Sequence, residues 1–349
     1  MMNLRDTYAS VDPILTTLAQ GYMLPETNIA NFIAPVVDTP TRAGRTLRFG
    51  KEAFAVIDYR RAYGTNIPAV QSRFDSDPYA LDQEVVAWEL PEEVIENAGE
   101  GPAQVDLRAI ETRNAMSRLM NAYEVQVADA VSVLANYEPA TANELGLAYA
   151  TWTLYQADAA ARGMATGPAN WADAQSNPIT DVLTWKRAVA NNIGIRPNSA
   201  VLGTAVFDRL LTTEAILDRI QFTTADSIDT DVIARYFGLE RGIRVAEGRQ
   251  LADATGHLEP VFPENAVLLF YSPLGASDSV MPAGGASAAT PAYAYTYQLT
   301  GTPAVRPEYY IRERRVVRAE ITVERIVNIT GLGATGQIGS GFYVADVLA

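Results

Sequence analysis

The chain contains no cysteine, a single histidine (His257) and only two lysines, Lys51 and Lys186. Without cysteine there is no disulfide, no thiolate nucleophile, no thiolate zinc site and no iron–sulfur ligation. One imidazole leaves no histidine cluster for a metal and little general acid–base chemistry near neutrality. With so few lysines, nearly all of the 27 basic residues are arginines, the side chain suited to fixed, forked contacts with carboxylates. Basic residues are also outnumbered: the formal net charge of -14 argues against a phosphate-gripping surface, although a container wall that merely faces nucleic acid is compatible with it. No stretch approaches 18 uninterrupted apolar residues, and the start, MMNLRDTYAS, lacks the basic beginning and apolar run of a signal peptide. A soluble chain made inside the cell, with no membrane contact, is expected.

What is present points to several packed units. Hydrophobic residues make up 48% of the 349, enough for more than one core and for two or three subdomains. The organising stretch is 105–136, VDLRAIETRNAMSRLMNAYEVQVADAVSVLAN. Ile110, Met116, Leu119, Met120, Tyr123, Val127, Val131 and Leu134 recur mostly at steps of three or four, with no Gly or Pro inside, so one stripe of a long amphipathic helix is committed to packing. Pro102 suits a first turn, where its missing N–H costs nothing, and Pro139 forbids further helix. Such a helix would be about 45 Å long, a spine as wide as a small domain.

Around the spine, the chain reads as follows. Pro13, Pro25, Pro35 and Pro40 divide residues 1–45 into short apolar patches, which predicts an extended, segmented arm that lies on the body or on a neighbour. Residues 46–63 and 79–90 read as two strands of a hairpin with little nearby to bury it, so it needs a partner. Residues 140–177 read as mostly irregular, with one short helix around 144–163 and Trp152 and Trp171 as anchors. A helix with Val182, Leu183, Trp185, Ala188 and Val189 on one face, capped by Thr180 or Asp181, comes next. The strand NSAVLG, two short helical pieces, a helix ended by Gly238, and strands at 243–247 and 266–271 then alternate as an α/β or α+β subdomain. Residues 273–303 read as a turn-rich surface loop. From 309 to 327 one long strand is expected, with Val317, Ala319, Ile321, Val323 and Val327 packed, and Arg318, Glu320, Thr322 and Glu324 either solvated or meeting another subunit.

Candidate sites are weak. Gly331, Gly333 and Gly336 satisfy a dinucleotide fingerprint after an apolar strand, but only 13 residues follow, too few for a helix, a second strand and an acidic residue; a turn before a terminal strand fits better, and an oxidoreductase reading would require nucleotide binding. His257 with Asp253 and Glu259 is a poor cation set. No serine elbow is present, the nearest being GQIGSG. Glu92, Glu93 and Glu96 after Trp88 read as a solvated segment. Tyr293, Tyr295 and Tyr297 share one side of an extended piece, for packing rather than base stacking. Catalytic, cofactor-binding and metal residues are therefore expected to be absent.

Several ordered stretches resemble one family. LAQGYMLPETNIANFIAPVVDTPTRAGRTLRFGKEAF, the region 169–221 with Trp171, Pro178, Lys186-Arg187-Ala188 and Arg196-Pro197-Asn198, DVIARYFGLERGIRVAEGR, AVLLFYSP and GSGFYVADVLA are together similar to tailed-bacteriophage major capsid proteins of the HK97-like fold, from about residue 18 to the end. The resemblance implies an α+β fold with an N-terminal arm (1–45), an E-loop (46–100), a P-domain (101–199) holding the spine helix at 105–136, an A-domain (200–305), and a return to the P-domain with a C-terminal strand (306–349). It implies a late structural protein of the virion, assembled in the host cytoplasm as hexamers and pentamers of an icosahedral head enclosing double-stranded DNA without specific binding. Its implied partners are other copies, a portal protein, and separate scaffolding and cement or decoration proteins. The alternative is a nonviral compartment shell of the same fold enclosing protein cargo. Some relatives crosslink a Lys of the E-loop to an Asn of an adjacent subunit with a Glu assisting; here Lys51 lies near the hairpin base, Lys186 lies in a helix, and Arg73 is the cation of the tip, so a shell without covalent links is expected. Residues 273–303 depart from the family pattern.

Overall fold

The computed structural model describes residues 11–22, 28–49, 74–97, 102–141, 144–164, 166, 169–220, 228–252, 256–272, 292–330 and 338–349. The N-terminal third holds α1 (Pro13–Gln20), α2 (Ala30–Ile33), β1 (Val36–Thr39), β2 (Ala43–Phe49), β3 (Phe74–Ala80), β4 (Asp82–Pro91), α3 (Glu92–Asn97) and the spine helix α4 (Pro102–Ser132). The middle holds β5 (Ala148–Tyr149), α5 (Trp152–Ala161), α6 (Pro178–Ile193), β6 (Ser199–Gly203), α7 (Thr204–Leu210), α8 (Glu214–Ile220), α9 (Thr230–Phe237), β7 (Gly242–Ala246), β8 (Arg249–Leu251), β9 (Leu258–Pro260) and β10 (Val267–Phe270). The remainder holds β11 (Ala294–Leu299), β12 (Ala304–Val305), β13 (Tyr309–Ile311), β14 (Val316–Ile329) and β15 (Gly341–Val344).

The result is an α+β fold with two main sheets among the described residues. In the first, β14 is the axis: β4 pairs with it over ten residues, from Val316↔Pro91 to Arg325↔Asp82, while β13, β12 and β11 follow one another on its other edge and β1 pairs with β11. The second runs β5-β15-β10-β6-β7, with the fully buried β10 at its centre. Stacked Trp171 and Trp185, Tyr155 and Phe342 pack its core under α5 and α6. β2 and β3 form a separate two-stranded sheet, as do β8 and β9.

The spine helix begins at Pro102 and ends at Ser132, shorter at its C-terminal end than the stretch to 136; Val133 is extended and Leu134–Asn136 form a 3-10 turn. Met116, Leu119, Met120, Tyr123, Val127 and Val131 are buried as the periodicity requires, each side chain contributing roughly 1.5–3 kcal/mol. Ile110 is instead exposed.

Several expectations are corrected. Pro13 does not block a helix but starts one, at the first turn, with Asp12 accepting from the N–H groups of Ile14 and Leu15. Residues 28–34 of the arm are buried in this chain's own core, so this part needs no neighbour to order it. The second hairpin strand, expected at 79–90, divides at Leu81: β3 pairs with β2, and β4 is an integral strand of the larger sheet. The 309–327 strand is itself a hairpin, β13 turning at 312–315 into β14 with Arg315 at φ 51. Asn177, not Thr180 or Asp181, caps α6, with Pro178 at its first position, and Leu183 is exposed. Gly238, at φ 64, ends α9 as expected. Part of the expected surface loop 273–303 is instead the buried strand β11, Ala294–Leu299. Gly331, Gly333, Gly336, Lys51, Arg73, Asp253 and residues 273–291 lie outside the described residues.

Candidate assembly surfaces

The ten-residue register of β4 on β14 assigns each side chain of the larger sheet to a face. Trp88, Leu90, Ala319, Ile321 and Val323 are buried on the face toward the spine helix. Arg325 continues that alternation and is only 3% exposed: its guanidinium donates to Glu84 Oε2 (2.5 Å) and to the Leu119 carbonyl (2.9 Å), and lies over the Tyr123 ring at 4.2 Å. Tyr123 in turn bonds Thr296 Oγ1 at 2.5 Å and donates to the Ala34 carbonyl at 3.2 Å; burial pushes its phenol up to about 12. One arginine thus ties β14, β4 and the spine helix.

The opposite face is divided. At one end Val37, Ala292, Tyr295 and Tyr297 form a second small core with Tyr79, Leu81 and Ile326. Tyr79 stacks on Tyr297 at 4.7 Å, Leu81 N–H donates to the Arg42 carbonyl, and Arg42 forks onto Glu324 at 2.5 and 2.7 Å. These contacts plant the base of the β2–β3 hairpin, which pairs with no other strand among the described residues. At the other end a polar ladder is open to solvent: Arg314 and Arg318 meet Glu89 at 3.0 and 3.7 Å, Arg306 meets Glu320 at 3.7 Å, and Tyr309 donates to Glu320 at 2.9 Å. The charges of β14, expected to face solvent or another subunit, therefore find their partners largely within the chain.

The other sequence candidates separate here. Tyr295 and Tyr297 share the second core, but Tyr293 turns to the first, its hydroxyl 2.9 Å from that of Tyr137. His257 is exposed in the β8–β9 hairpin, its carbonyl accepting from Ala252, and Glu259 is exposed beside it. Glu92 accepts from Tyr310 at 2.7 Å, while Glu93 and Glu96 are exposed on α3. Lys186 is buried, its ammonium donating to the carbonyls of Phe237 (3.1 Å) and Gly238 (2.6 Å). Among the described residues no three His, Asp or Glu side chains converge as a metal site. An open groove of ≈ 480 Å³ beside β5 includes Asp158, whose carboxylate is already held by Tyr149 and Arg162. Sequence reasoning missed Arg42, Glu84, Glu124 and Arg325; for Glu124 and Arg325 the signal was present, a charge at a position where the packing period requires an apolar residue.

A spine helix crossing one sheet, a second sheet with a buried central strand, and a hairpin rooted by its base make an α+β arrangement consistent with the HK97-like capsid fold. The family model described as phage major capsid protein E matches residues 106–313, more than half of the chain, and the chain belongs to that family. It is 24% identical over 298 residues to the major capsid protein of Burkholderia phage BcepMu, covering 84% of this chain and 85% of that one. It is similar in fold to the crystal structure of a phage-related protein from Bordetella bronchiseptica RB50, with a TM-score of 0.72 and 24% identity over 97% of this chain and 98% of the other.

Proposed function

We propose that copies of this chain associate as hexamers and pentamers of an icosahedral phage head that encloses double-stranded DNA. The observation that carries this is the β2–β3 hairpin: a two-stranded sheet pairing with no other described strand, planted on the body at Tyr79, Leu81 and Arg42. A lone two-stranded hairpin is marginal in water, and a neighbouring copy supplies the missing cover. In this reading 1–45 is the arm, 46–100 the E-loop, 101–199 with 306–349 the P-domain around the spine helix, and 200–305 the A-domain. The virion capsid, built in the host cytoplasm, is its place; a portal, a scaffold and a cement protein are its partners besides other copies. The name of the BcepMu relative supports a phage head over a compartment shell with protein cargo.

The test replaces residues 50–73 by Asn-Gly, which closes Phe49 onto Phe74 by a two-residue turn. The variant should keep the fluorescence of buried Trp171 and Trp185 but yield no closed shells by negative-stain imaging. Normal shells from it would refute the role given to the hairpin. Native particles should contain dense DNA; particles filled with an enzyme would leave a shell protein but remove the phage head.

A further inference from the structure

Glu124 is a carboxylate in the packing stripe of the spine helix, 2% exposed, at the junction of three separate segments. From the arm, Ile29 N–H donates to its Oε1 at 3.3 Å. From the corner after β7, Gly248 approaches so closely that a Cβ there would stand 2.5 Å from the same oxygen and would have to displace the carboxylate. The arm segment 28–34 that crosses this point is buried throughout. Arg241, just before β7, and Arg244, within it, donate to the carbonyls of Phe32 and Asn28 and lie 4.4 and 5.2 Å from the centre of the Phe32 ring.

We infer that Glu124 makes the seating of residues 28–34 depend on pH, the segment being held when the side chain is a neutral acid and loosened when it ionises. An ionised carboxylate here loses its water and, among the described residues, receives one weak backbone donor, a cost that undocking the arm relieves. The charged groups packed around the segment are Arg241 and Arg244, Arg325 near Tyr123, which Glu84 engages, and the exposed Glu247; burial holds the Tyr123 phenol well above its usual range, and Asn28 and Asn31 bear no charge. Burial raises the Glu124 carboxyl to about 7 when the arm is seated, from an ordinary value of 4.5. A raised acid stabilises the seated state fully below the ordinary value, and this is lost as pH rises toward 7 and then levels. The inference rests on contacts within one chain and stands whether or not shells form.

Hydrogen exchange of the full-length chain, corrected for intrinsic exchange rates, tests it by following a peptide covering 28–34 across pH in the wild type and in Glu124→Gln. In the wild type 28–34 should open more often than the core strand β10, and its opening should rise about tenfold per pH unit between about 5 and 7 and then level. Glu124→Gln should remove that slope and keep the segment protected; Glu124→Met, of similar volume, serves if the Gln variant does not fold. A wild-type segment whose opening is flat across the range or no more frequent than that of β10, or a variant that folds and keeps the slope, would overturn the inference.

Discussion

At the scale of single residues, Lys186 shows how position decides what a reactive group can do. Its amine sits at the C-terminal end of α9, where two backbone carbonyls accept from it, and burial followed by the nearby Arg196 lowers its pKa against the opposing pull of Glu240. An ammonium at this end of a helix also answers the negative pole of the helix dipole. Lys186→Met should cost about 2 kcal/mol in urea denaturation, the worth of hydrogen bonds from a charged donor. A variant as stable as the parent would mean that water replaces those bonds freely. The same burial removes Lys186 as a crosslinking nucleophile. Particles boiled in detergent should therefore run as a band near 37.8 kDa. A covalent ladder that disappears in Lys51→Arg would show that Lys51 does reach a neighbour.

Between elements, burial separates two Arg–Glu pairs of similar geometry. Arg325 and Glu84 link β14, β4 and the spine helix with side chains 3% and 18% exposed. Removing one partner leaves the other as an unpaired charge, so Glu84→Ala should cost about 3 kcal/mol, whereas Glu84→Leu with Arg325→Met should recover most of it. Arg42, on the hairpin base, has a side chain 71% exposed although its partner Glu324 is 7% exposed. Water screens that pair, and Arg42→Ala should change stability by less than about 1 kcal/mol. A double-mutant cycle in urea checks both; equal costs for the two pairs would show that exposure is not what separates them.

Across the whole molecule, in the phage head proposed above, an acidic chain would confine DNA rather than grip it. With a net charge of -14, unassembled subunits should show negligible, salt-insensitive affinity for duplex DNA, measured by fluorescence anisotropy. Sub-micromolar binding near physiological salt would place a basic surface where the charge balance gives no reason for one. In the proposed head such a wall would rely on closure of the shell, the role given above to the hairpin.

What the sequence alone determined is what local period and local chemistry encode. The stripe from Met116 to Val131 specifies the spine helix, the apolar run at β10 specifies a buried strand, and Gly238 ends α9, because each depends on residues within a turn or two of one another. The family was legible too, since its matching stretches occur in order along the chain. Tertiary structure alone decided where the arm lies, that β4 leaves the hairpin to join β14, and which carboxylates face which arginines. Glu84 and Arg325 are 241 positions apart, and no local pattern can bring them together. Their meeting follows from the sheet register, and the packed spine above them turns two ordinary charges into one buried link.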